Sequence, residues 1–131
     1  MYLNSAEALI TYAEAISKKH TKVLLIGELW AGKTTFAKWF ARWLGIDETK
    51  VTSPTYTYQN IYDQKLLHID MYRIEKEEHL QETGLLELID QYEYIVIEWP
   101  KWQGLYTDST RAIIDITKHP EGGRQITYAT N

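Results

Sequence analysis

The sequence predicts an α/β domain in which helices flank a sheet of mixed parallel and antiparallel strands, and three observations carry that prediction. Residues Gly27 to Thr34 read GELWAGKT, the complete G-x-x-x-x-G-K-[ST] pattern of a phosphate-binding loop. The loop lies between a leucine-rich run at Lys22–Ile26 (KVLLI) and a helical pattern over Thr35–Leu44, the strand, loop and helix order that such a loop requires. Two later apolar runs, KLLHID and YIVIE, read as buried strands that each close on an acid. Together they specify a single phosphate-loop NTPase-like domain spanning residues 1–131.

Each element has a local reason. Asn4 or Ser5 is placed to cap a first helix, in which Ala6, Leu9, Ile10, Ala13 and Ile16 form an apolar stripe that ends near Lys18 to His20. The helix after the loop carries Phe36, Phe40 and Trp43 at i, i+4 and i+7 as core residues, puts Lys38 and Arg42 on the solvated side, and ends at Gly45. From Val51 the segment VTSPTYTYQNIYD alternates at Tyr56 and Tyr58 and predicts an extended edge. With Asp63-Gln64 as a turn, it forms an antiparallel hairpin with the strand Lys65–Asp70. Ile74 to Asp90 is helical in composition with an interruption at Thr83-Gly84, and Tyr94–Glu98 is a central strand. After Pro100 the stretch WQGLYTDST is a loop, and Arg111–Thr117 pairs with Arg124–Thr130 across HPEGG as a second hairpin.

Composition narrows the function. A chain of 131 residues suits one domain that buries about two thirds of its unfolded surface. No apolar run approaches the ~20 residues needed to span a bilayer, and the first twenty residues lack the basic leader of a signal peptide, so a cytoplasmic protein is expected. With no cysteine there are no disulfides and no thiolate chemistry. A formal charge of -4 leaves no broad basic face, so contact with RNA is expected only through partners.

The loop motif implies specific chemistry. Backbone N–H groups of Gly27, Glu28, Leu29, Trp30, Ala31 and Gly32 would line a nest for phosphate, the following helix adds its N-terminal partial charge, and Lys33 adds a full one. Thr34 would offer its hydroxyl to Mg²⁺. Trp30 occupies a position where many such loops have a small residue; if its φ must be positive, the cost is about 1 kcal/mol or more. Magnesium also needs an acid, and Asp70 and Glu98 both follow buried strands, in the crevice where ligands of open α/β sheets gather. Either could instead cap a turn, and it is the phosphate loop in the same domain that favours a ligand role. Thr52, Ser53, Thr55 and Thr57 read as a solvated edge, Arg73 as an ion-pair partner, and His68 as structural. The four histidines have no metal-ligand spacing.

Four segments, GELWAGKTT, VTSPTYTY, HIDMYR and IEWP, occur in an order that resembles the TsaE family, small bacterial ATPases of tRNA threonylcarbamoyladenosine synthesis. The resemblance implies that ATP or ADP contacts Gly27, Gly32, Lys33, Thr34 and Thr35, with Thr34 on Mg²⁺. It implies a switch-like role for Ser53, Pro54 and Thr55, a magnesium-side role for Asp70, and a second functional acid at Glu98 beside Trp99. Catalytic duty would thus fall on Lys33, Asp70 and Glu98, and metal binding on Thr34, Asp70 and Glu98. The loop departs from the family's GDLGAGKTT at Glu28 and Trp30. The implied partners are of the TsaB and TsaD type, with tRNA reached only through them.

Other functions fit less well. A small-molecule kinase would need a lid with several arginines, and a GTPase an N-K-x-D segment, whereas Thr117–Pro120 reads TKHP. A nucleotide-sensing module without turnover shares every motif. Arg73 is the only obvious additional arginine for the γ-phosphate, so hydrolysis by the chain alone is expected to be slow.

Overall fold

The computed structural model describes residues 1–28, 32–54, 57–106 and 111–130. Leu29, Trp30, Ala31, Thr55 and Tyr56, to which the sequence assigns loop, switch or strand roles, lie outside the described residues.

Helix α1 (Ala6–Lys19) begins at Ser5, whose hydroxyl accepts from the Ala8 amide at 3.1 Å, so Ser5 rather than Asn4 is the cap. Strand β2 (Lys22–Ile26) leads through the phosphate loop into α2 (Lys33–Trp43), which starts two residues earlier than the pattern at Thr35 suggests. The chain leaves this helix through Gly45 at φ +87°, as expected. Phe36 and Phe40 are fully buried, each contributing roughly 1.5–3 kcal/mol of apolar burial. Trp43, expected in the core, is 42% exposed: the buried residues of the helix are Lys33, Phe36, Ala37, Phe40 and Ala41, and the stripe ends before its last turn.

The hairpin β3 (Gln59–Tyr62) and β4 (Leu66–Asp70) is antiparallel as expected, and Asp63 and Gln64 both sit at φ +53°, the two-residue geometry that suits strand twist. Regular pairing is confined to Gln59–Tyr62, shorter than the expected edge, and Tyr58 just before it turns to φ +67°; a 3₁₀ turn occupies Glu48–Lys50. The region predicted helical from Ile74 resolves into α3 (Glu77–Glu82) and α4 (Leu85–Gln91), broken at Gly84 as predicted. Ile74 itself closes a turn on Met71 and is buried there. Strands β5 (Tyr94–Glu98), β6 (Ala112–Lys118) and β7 (Arg124–Thr130) match their runs, while a two-residue strand β1 (Tyr2–Leu3), too short to leave a pattern, pairs with β7.

Among the described residues these strands form one sheet in the order β1-β7-β6-β2-β5-β4-β3. Its middle, β6-β2-β5-β4, is parallel, and both margins are antiparallel. Alternation decides the two cores. Val23, Leu25, Val96, Ile114 and Ile116 face α1 and α2, whereas Leu24, Leu67, Ile69, Ile95 and Ile97 face α3 and α4. Parallel strands covered on both faces read as continuous apolar runs, the pattern that marked KVLLI and YIVIE. No helix among the described residues is long and apolar enough to cross a membrane.

Candidate functional site

The parallel register brings the predicted residues to one edge. Leu25 pairs with Glu98 and Glu98 with Asp70, so the loop after β2 and the two acids occupy adjacent strand ends. Parity then sets the face. His68 and Asp70 on β4 and Glu98 on β5 share the face of Leu66 and Val96, the side covered by α2.

Gly27 is the pivot of the loop. At φ +145° its backbone passes so close to β6 that a Cβ would lie 2.0 Å from the Ile116 carbonyl oxygen, so no other residue fits without movement. Gly32, at φ +116°, opens α2.

Lys33 is buried, and its ammonium donates to the carbonyls of Gly27 (2.8 Å) and Glu28 (2.7 Å) while lying 4.5 Å from the centre of the Trp99 ring. Burial pushes its pKa below that of an ordinary lysine, and the carboxylates of Glu98, Asp70, Glu28 and Asp115 oppose the shift. The Glu28 side chain is engaged elsewhere, accepting from the Lys118 amide at 3.0 Å. Thr35 is exposed.

The acids differ in their surroundings. Asp70 accepts from the Tyr72 amide at 2.8 Å. Glu98 is held at both oxygens: Oε1 lies 3.5 Å from the Thr34 hydroxyl, and Oε2 accepts from His68 Nε2 at 2.5 Å. The other ring nitrogen of His68, Nδ1, is 3.1 Å from the Tyr62 hydroxyl. Trp99 is fixed by its amide, which donates to the Leu25 carbonyl at 3.1 Å, and its ring packs 4.9 Å from that of Tyr72.

Lys33, Thr34, Asp70 and Glu98 therefore lie together at one edge of the sheet. Ser53 and Arg73 are exposed and Pro54 is buried. His68 is the residue whose part the sequence reading understates, and its signal was its place two residues before Asp70, on the same strand face. Tyr62 left no such signal. A hydroxyl and two carboxylates are hard oxygen donors suited to Mg²⁺, and a buried ammonium beside a helix N-terminus suits phosphate, so the residues present fit a magnesium nucleotide.

Fold and site define a phosphate-loop NTPase-like protein. Residues 3–126 match the family model described as "Threonylcarbamoyl adenosine biosynthesis protein TsaE", and the chain belongs to that family. It is 34% identical over 125 residues to the Bacillus subtilis tRNA threonylcarbamoyladenosine biosynthesis protein TsaE, covering 93% of this chain and 77% of that one. The Treponema pallidum TsaE is 36% identical over 109 residues, 82% of this chain and 80% of the relative. The Borreliella burgdorferi TsaE is 44% identical over 82 residues, 60% of this chain and 58% of the relative's length. Among solved structures, Bacillus subtilis YdiB superposes with a TM-score of 0.69 at 27% identity, over 96% of this chain and 80% of that one.

Proposed function

We propose that this protein is a magnesium-dependent ATPase that acts in the cytoplasm in tRNA threonylcarbamoyladenosine synthesis, with partners of the TsaB and TsaD type through which it reaches tRNA. The pathway rests on family membership. The hydrolytic reading rests on the register that sets Asp70, Glu98 and the loop after Leu25 at neighbouring strand ends.

In this reading the loop amides and the N-terminus of α2 bind the phosphates, and Lys33 turns from the Gly27 and Glu28 carbonyls to offset charge that develops on the β- and γ-phosphates. Thr34 and Asp70 would hold Mg²⁺, which would supply charge neutralisation at the phosphates. Glu98, with Oε2 anchored by His68, directs Oε1 toward Thr34 and orients the attacking water. Phosphate release is expected to be slow from the chain alone and accelerated by the partner complex. A chain that binds magnesium nucleotide yet shows no partner-stimulated release is a nucleotide-sensing module, and the ATPase reading then fails.

A further inference from the structure

The hydroxyl of Tyr62 stands where two parts of the molecule meet. It accepts from the Thr52 amide (3.3 Å) and from Asn60 Nδ2 (3.2 Å), and it lies 3.1 Å from both the Thr52 carbonyl oxygen and His68 Nδ1. His68 is fully buried and continues the chain to Glu98 Oε2, whose other oxygen faces Thr34. An unbroken path of hydrogen bonds thus runs from Thr52, the residue before Ser53-Pro54, to the acid at the phosphate loop.

The geometry points to Tyr62 and His68 as positioning residues that fix the orientation of Glu98 and tie it to the backbone at Thr52. A carboxylate only accepts, so His68 donates from Nε2. In the neutral imidazole whose proton sits on Nε2, Nδ1 only accepts, so Tyr62 has a single proton and two acceptors within reach, the Thr52 carbonyl and His68 Nδ1, and it can serve only one at a time. When Thr52 draws away, that proton goes wholly to Nδ1, and the Nε2–H bond to Glu98 is polarised and strengthened. When Thr52 is seated, the proton is shared. Asn60 backs the junction, because its amide also reaches the Thr52 carbonyl at 3.4 Å. Such a buried polar chain is not required for packing, since replacing both partners of a buried hydrogen bond by apolar groups of the same shape is often nearly neutral. Its continuity with Glu98 gives it a use.

This inference rests on the hydrolytic reading for its effect on turnover and on geometry alone for its connectivity, and the test separates the two. In nitrogen-15 histidine spectra of the free wild-type chain, His68 should carry a proton on Nε2 and none on Nδ1; a bare Nε2 or a ring protonated at both nitrogens overturns the proposal without any variant. Tyr62→Phe removes only the hydroxyl. It should move both His68 ring-nitrogen resonances and the Thr52 amide, lower partner-stimulated kcat about tenfold, and leave MgADP affinity within about twofold. Unchanged kcat in Tyr62→Phe, against a wild type that turns over, overturns it. If the wild type shows no turnover, the hydrolytic reading fails by itself, and the resonances decide: a His68 imidazole insensitive to Tyr62→Phe overturns the connection, and a shift at both His68 and Thr52 upholds it.

Discussion

Lys33 makes plain how burial and charge combine in one side chain. Its ammonium sits among loop carbonyls and the Trp99 face, with carboxylates nearby offsetting the desolvation that lowers its pKa. Lys33→Ala should therefore abolish MgADP binding measured by calorimetry, and unchanged affinity would contradict the site. Asp70→Asn and Glu98→Gln should leave ADP binding largely intact while stopping phosphate release; wild-type turnover in either variant removes that residue from its role. Gly27 makes a purely steric prediction. Gly27→Ala should lose more than about 2 kcal/mol in urea unfolding, from a positive φ combined with collision at the Ile116 carbonyl. Gly45→Ala, with open space around it at φ +87°, should lose only about 1 kcal/mol. Similar losses at the two positions would show that contact with β6 is unimportant.

Among the elements, the β3–β4 hairpin separates what the sequence specifies from what it conceals. Asp63-Gln64 was legible as the turn because two polar residues divide an alternating segment from an apolar run. The left-handed conformation of Gln64 was not, since glutamine carries no preference for it. Gln64→Gly should consequently raise unfolding free energy by about 0.5–1 kcal/mol in denaturant titration, and a loss would mean that the side chain makes compensating contacts. The strands with acids at their ends were legible for the same reason that the site forms: continuous apolar runs mark parallel strands covered on both faces. The early end of the buried stripe at Trp43 and the turn at Ile74 were hidden, because helical period alone does not say where the sheet beneath stops. His68, read as structural, is buried and hydrogen-bonded, but its contact with Glu98 was not legible, because a lone histidine in an apolar strand shows its partner only once the neighbouring strand's register is known.

The whole molecule depends on links between distant segments, and one of them should make stability sensitive to pH. His20, at the end of α1, is 2.6 Å from the Tyr128 hydroxyl on β7, and burial with a contribution from Lys19 lowers its pKa below 6.5. The unfolded chain takes up the proton first, so this stabilisation is complete above pH 6.5 and is lost as pH falls through the folded value. His20→Gln should flatten the decline of Tm between pH 7 and pH 5 relative to wild type, and parallel declines would exclude His20 as a source.

Strand β2 lies at the middle of the sheet, bonded to β5 and β6 and covered by apolar layers above and below. Amides in such a position exchange with solvent only through the largest openings of the molecule, whereas margins such as β1 and β3 exchange through small ones. The phosphate loop is thus mounted on the slowest-opening part of the protein, and any motion that admits or releases a ligand belongs to the segments around it, on timescales far shorter than those that would loosen its base.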